Sequence, residues 1–253
     1  MKRFGLNSNQ LKLIAAVSML IDHVGCILFP YFEIFRIVGR LAFPIFAFCL
    51  AEGVRYTKNR LRYLLTIVAC AVAFQIVFII AAGGNVVNIF GTFALSIALC
   101  YLFDFAKTRK FGGFVLFCLV AFAVYAFTQF VPVDYGFVGV LLPLSAYVFD
   151  SGATKSKKDN PLVEVDASDC PHLEIANEQP ANNVGKWAKF LCFTLTLATL
   201  ASVGGWDIQY YSLLAVPILS LYNGQYGSKK FKYWFYIFYP LHLVVIYGVS
   251  TLM

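Results

Sequence analysis

Runs of about 20 apolar residues recur along the whole chain, and a helix of that length crosses a hydrocarbon core of about 30 Å. Of the 253 residues, 60% are hydrophobic and 13% charged, with a mean hydropathy of +0.74. A soluble globular domain is excluded by that balance. The pattern predicts an all-α fold, a polytopic transmembrane helix bundle of about nine spanning helices, packed as a single domain over residues 1–253. The expected spans are 11–30, 34–53, 61–82, 88–106, 112–132, 134–150, 187–204, 208–222 and 233–252. The first run is too long for a cleaved signal peptide, contains Asp22 and His23, and lacks a small-residue cleavage site.

Lys and Arg are retained on the cytoplasmic side of a membrane, so their placement predicts orientation. Lys2, Arg3 and Lys12 precede the first span; Arg55, Lys58, Arg60 and Arg62 join the second to the third; Lys107, Arg109 and Lys110 join the fourth to the fifth. Lys155, Lys157, Lys158, Lys186 and Lys189 lie in or beside a long loop, and Lys229, Lys230 and Lys232 precede the last span. With nine alternating helices all these fall on one side, and of the 20 basic residues only Arg36 and Arg40 do not. The expectation is a multi-pass protein of the lipid bilayer with its N-terminus cytoplasmic and its C-terminus outside. Residues 151–186 are polar, mixed in charge and hold three prolines, which predicts a flexible cytoplasmic loop insertion.

The stretch from Ile14 to Gly53 carries Asp22, His23, Arg36, Arg40 and Glu52 within two very apolar helices. A charge at the centre of a bilayer costs about 2.5 to 3.5 kcal/mol on insertion scales, so such residues face the protein interior and mark a functional site. At 1.5 Å per residue, His23 lies about 18 Å from the basic end of its helix, Arg40 about 21 Å, Gln75 about 20 Å and His242 about 14 Å, nearly coplanar. Arg36 and Arg40, at i and i+4, share a helix face. Asp22 and His23 are successive, about 100° apart, and point at different partners. The economical arrangement pairs Asp22 with Arg40 or Arg36 and leaves His23 to face a cavity. A purely structural role, neutralised charges fixing helix register, is the competing reading. Glu52 and Arg55, at i and i+3, form either an interfacial ion pair or part of a donor-binding mouth. Tyr239 lies one turn from His242.

Other chemistries find no support. Cys170 and His172 fall short of a closed zinc site, so no metal is expected. The remaining cysteines are scattered through the helices as small apolar fillers. The net charge of +7 has a membrane explanation, and no basic patch is interleaved with stacking aromatics, so no nucleic-acid partner is expected.

Six stretches carry a family resemblance: LKLIAAVSMLIDHVGCILFP, FRIVGRLAFPIFAFCLAEG, NIFGTFAL, DYGFVGVLLPL, LLAVPILSLYNGQYG and KYWFYIFYPLHL. Their DHxG, GRxxFPxFxF, AEG, NG and YPxHL signatures occur in order along nearly the whole chain. The sequence resembles the TraX family, whose namesake is associated with N-terminal acetylation of conjugative pilin, and through it the wider set of transmembrane acyltransferases. The resemblance implies an integral acetyltransferase of the bacterial plasma membrane. Acetyl would pass from cytoplasmic acetyl-CoA, or another acyl-CoA, to an outward-facing acceptor, a peptide amine or a glycan hydroxyl. It places His23, Asp22, Arg40 and His242 at the reacting centre. Imidazole titrates near neutral pH and suits the base; Arg40, with Gln75 as a weaker candidate, suits the developing oxyanion. Arg55, Glu52, Tyr239 and Gln75 are the candidate donor-binding residues. Direct transfer and an acyl-imidazole intermediate both remain open. From another class comes a proton-coupled transporter or flippase with Asp22, His23 and His242 as relay.

Overall fold

A computed structural model of the protein describes residues 5–82, 86–149, 183–203, 207–225 and 232–252. These residues are predominantly helical, and their extended pairings are two isolated bridges, Leu6 with Tyr222 and Val87 with Val133. Five spans are long and apolar enough to cross a membrane: Ser8–Leu28, Glu33–Tyr56, Arg60–Ile80, Ile89–Thr108 and Phe111–Phe130. Shorter apolar helices cover Gly136–Val148, Trp187–Val203 and Ile237–Ser250. The protein is an all-α transmembrane bundle, with two of its expected spans built otherwise than as single helices.

The first helix, α1 (Ser8–Leu28), begins at a capping box in which Gln10 N donates to Asn7 Oδ1 and Asn7 N donates to Gln10 Oε1, each at 2.9 Å. The second span is broken into α2 (Glu33–Gly39) and α3 (Ala42–Tyr56) at Arg40 and Leu41. Pro44 is the cause. It has no N–H to offer the carbonyl four residues back, which belongs to Arg40, and its ring crowds that carbonyl. The guanidinium of Arg40 is therefore carried at a helix break.

Next come α4 (Arg60–Ala82), α5 (Ile89–Thr108) and α6 (Lys110–Phe130). Asn88 caps α5, its Oδ1 accepting from Phe90 N at 3.0 Å and Gly91 N at 3.3 Å. Helices α4 and α6 present Leu61, Leu65, Ile80, Phe111, Phe122 and Phe130 outward, side chains that belong in lipid. The core runs through α3, α5 and α7 (Gly136–Val148) with α8 (Asn183–Val203), where Phe48, Ile97, Val140, Leu142 and Phe193 are fully enclosed. Span 134–150 was expected to include Asp134. The helix starts at Gly136, leaving Asp134 and Tyr135 in a turn tied to the α4–α5 connection through Asp134 N to Val87 O, 2.9 Å. Helix α8 starts at Asn183, so the last residues of the expected 151–186 loop are helical. Residues 150–182, with Cys170 and His172, lie outside the described residues.

The eighth span is a 3₁₀ helix, Asp207–Leu214, followed by a short α9, Ala215–Ser220. A 3₁₀ helix rises about 2.0 Å per residue against 1.5 Å for an α-helix, so these few residues reach about 25 Å. They end where Asn223 N donates to Leu6 O at 2.9 Å and Asn223 Nδ2 to Gly5 O at 3.1 Å, joining the NG signature to the chain's start. The last helix, α10 (Lys232–Ser250), packs on α1 and α4.

Candidate functional site

Helix α1 lies between α2 and α10, and its successive residues Asp22 and His23 face one of them each. On the α2 side, small residues let the backbones meet. A Cβ on Gly39 would stand 2.1 Å from Asp22 Oδ1, and one on Gly25 would stand 2.2 Å from Phe35 Cβ. Ser18 Oγ donates to Val38 O across the same contact. Asp22 is thereby pressed against the end of α2 and takes both arginines. Arg36 Nη1 donates to Oδ2 at 3.1 Å, and Arg40 Nη2 to Oδ1 at 3.5 Å. Arg40 Nη1 also donates to Gln209 Oε1, 3.1 Å away on the 3₁₀ helix. Asp134 interacts with Arg40 and Asp22 through space, so two guanidiniums and two carboxylates share the region.

On the α10 side, His23 Nδ1 and His242 Nε2 are 2.9 Å apart, and His242 Nδ1 lies 3.0 Å from Phe238 O. A carbonyl only accepts, so His242 Nδ1 carries the proton and its Nε2 is the acceptor. His23 Nδ1 must then be the donor, and His23 Nε2 keeps its lone pair; these tautomers follow from the hydrogen-bond network. Both guanidiniums act electrostatically on His23. Tyr239 stacks edge-on against Phe74, Phe90 and the His242 ring, at centroid distances of 4.8, 4.6 and 5.7 Å.

The structure thus brings Asp22, Arg36 and Arg40 together, joins His23 to His242, and sets Tyr239 beside that pair. His23, expected to face a cavity, faces a second imidazole. Gln75 is used elsewhere: its Nε2 donates to Val86 O at 3.0 Å and its Oε1 accepts from Asn88 N and Nδ2 at 3.0 and 2.8 Å. The amide thus binds residues 86–88 on both its ends, supporting the start of α5. Glu52 corrects the sequence reading too. Its Oε1 accepts from Lys189 Nζ at 2.7 Å and its Oε2 from the Tyr222 hydroxyl at 3.4 Å. The Glu52 and Lys189 side chains are each 8% exposed, making a buried pair that bridges α3 and α8 instead of an interfacial Glu52–Arg55 pair. Lys189 Nζ also sits over the Phe48 ring at 4.6 Å, so this lysine is no solvated loop charge. Arg55 lies over the Tyr56 ring, and Arg60 pairs with Asp104 at 2.5 Å.

Sequence reasoning missed Gln209, Ser212 and the approach of Asp134. Gln209 and Ser212 lie in the polar run DIQYYS just ahead of an apolar stretch. That run signals a polar strip entering the bundle but not its partner.

Fold and site together define a polytopic membrane protein holding ion-paired and imidazole groups between its helices. The sequence matches the family model described as TraX protein over residues 7–165 and 178–250, and the chain belongs to the TraX family. The unmatched residues 166–177 fall inside the stretch read as an insertion. The chain is also similar to an uncharacterized protein of Rickettsia prowazekii (strain Madrid E), 26% identical over 148 residues, covering 58% of this chain and 57% of that protein. The chain therefore spans little more than half the length of that relative. No solved structure matches.

Proposed function

We propose that this protein is an integral membrane acyltransferase that moves acetyl from cytoplasmic acetyl-CoA to an outward-facing peptide amine or surface-polymer hydroxyl. The observation that carries this reading is the histidine pair: a half-buried imidazole, His23, whose Nδ1 is bonded to His242 and whose Nε2 carries the lone pair, with guanidiniums acting on it. The acceptor's lone pair attacks the thioester carbonyl carbon while His23 Nε2 takes the acceptor's proton. The carbonyl π pair moves to oxygen, where the positive charge of Arg40 opposes it. The C=O bond re-forms, the C–S bond breaks with its electron pair leaving on sulfur, and His23 returns the proton to that thiolate. His242 holds the His23 tautomer and shares the charge of the imidazolium through the same hydrogen bond. Asp22 fixes Arg40 and Arg36, and Arg55, Lys58 and Arg62 give the cytoplasmic mouth positive charge for the phosphates of CoA.

A transporter or flippase is the alternative, and one feature favours it. The α2–α3 break at Arg40 and the 3₁₀ helix beside it are two interrupted spans meeting at a buried charge, as in many secondary transporters. One preparation separates the two readings. Protein in liposomes given acetyl-labelled CoA passes the label to an added amine if the acyltransfer reading holds. A solute flux driven by a pH gradient and dependent on Asp22, without binding of acetyl-CoA, replaces that reading with transport.

A further inference from the structure

The 3₁₀ helix Asp207–Leu214 makes about three residues per turn, so Gln209 and Ser212 stack on one side of it. Gln209 is 6% exposed and Ser212 fully buried. A guanidinium offers only donors, so the contact of Arg40 Nη1 with Gln209 uses the amide's Oε1 and leaves its Nε2 donor unused there. Nε2 of Gln209, Oγ of Ser212 and Nε of Arg40 are buried and have no hydrogen-bond partner among the described residues. Native structures leave few such groups, and each calls for an explanation. Here they fall on Arg40, on the Gln209 bonded to it, and on Ser212 one 3₁₀ turn further along, and each can donate. Both Nη groups of Arg40 already hold protein partners, Asp22 and Gln209, which locks the guanidinium and leaves its Nε–H as a fixed donor.

We propose that Gln209 Nε2, Ser212 Oγ and Arg40 Nε form the pocket that receives the carbonyl oxygen of the acyl donor, making Gln209 and Ser212 catalytic residues. The proposal rests on the acyltransfer reading and adds to it the donors that Arg40 alone does not supply. When the acceptor bonds to the carbonyl carbon and its proton passes to His23 Nε2, the π pair placed on oxygen meets three donors that need no reorganisation. When the pair returns to re-form C=O, the C–S bond breaks, sulfur leaves with its electrons, and the proton passes from His23 to sulfur. Donors left unpaired in the resting protein are what such a pocket requires, because groups already bonded to the protein would have to break those bonds at each turnover.

The test measures label transfer from acetyl-CoA in liposomes for the full-length protein, Ser212→Ala and Gln209→Glu, with thermal unfolding of each. Gln209→Glu keeps an oxygen for Arg40 Nη1, replaces the Nε2 donor with an acceptor oxygen and adds a negative charge that opposes the developing oxyanion. Loss of one such donor lowers kcat on the order of 10²- to 10³-fold, with KM for acetyl-CoA within about twofold because the interaction strengthens in the transition state. Ser212→Ala leaves the melting temperature unchanged or raises it, since it deletes a buried hydroxyl that has no partner. A raised KM with unchanged kcat, or unchanged rates with a lowered melting temperature, overturns the proposal; the second result assigns the hydroxyl to a structural bound water. An active wild type with fully active variants removes the pocket alone. A wild type without acyl transfer removes the acyltransfer reading and the pocket with it.

Discussion

Replacing Asp22 with Asn should destabilise the protein far more than replacing either arginine that it binds. The carboxylate lies 3.1 Å from Arg36 Nη1 and 3.5 Å from Arg40 Nη2. At an effective dielectric constant near 20, each contact attracts by about 5 kcal/mol. Desolvation offsets much of that, and removing one partner of a buried pair costs about 3 to 5 kcal/mol. The three side chains keep 12 to 23% of their surface exposed, so the lower end, about 3 kcal/mol, applies to Asp22→Asn. That change leaves two guanidiniums a helical turn apart with no carboxylate between them. Arg36→Gln leaves the Asp22–Arg40 pair balanced and costs about 1 kcal/mol, the net worth of one hydrogen bond. In folding equilibria these are about a hundredfold and about fivefold. Adding Arg36→Gln to Asp22→Asn should recover part of the loss, because it removes the repulsion. Thermal or denaturant unfolding of the four proteins in one detergent reads the order directly. An Arg36→Gln variant as unstable as Asp22→Asn, or a double variant worse than the sum of the singles, would refute a shared carboxylate.

Three further outcomes follow from contacts elsewhere. Gly39→Ala places a Cβ 2.1 Å from Asp22 Oδ1, so α1 and α2 must part; we expect a loss of about 1 to 3 kcal/mol in unfolding, with activity lost as Asp22 moves. Glu52→Gln takes the carboxylate from the buried Lys189 ammonium and should cost about 3 to 5 kcal/mol, while adding Lys189→Met should return much of the stability in the same unfolding assay. Gln75→Leu undoes the bonds behind the α5 cap and should lower stability by about 1 to 3 kcal/mol with kcat unchanged, the reverse of the pattern for Ser212→Ala.

The span pattern and the divergence of Asp22 from His23 were legible in the sequence, because hydropathy and the 100° step between residues are local properties. The break at Arg40 was also legible, since Pro44 lies four residues on, but a mean-hydropathy run hides it. Depth along a helix says nothing of the direction around it, and so did not show that Gln75 bonds to Asn88. Glu52 was paired with the nearest arginine in sequence, whereas its partner is 137 residues away, where only the closure of α3 on α8 brings it. Gln209 and Ser212 read as a helix start under a period of 3.6; the 3₁₀ period that stacks them is set by tertiary packing.

In the proposed acyl transfer, His23 Nε2 is the base and His242 its support. The most direct test compares label transfer from acetyl-CoA to an amine by the wild type, His23→Ala and His242→Ala in liposomes, with each variant shown to be folded. His23→Ala should abolish transfer, and His242→Ala should leave a residual rate reduced about 10- to 100-fold, the usual effect of losing a supporting contact. Undiminished transfer by folded His23→Ala would contradict the claim.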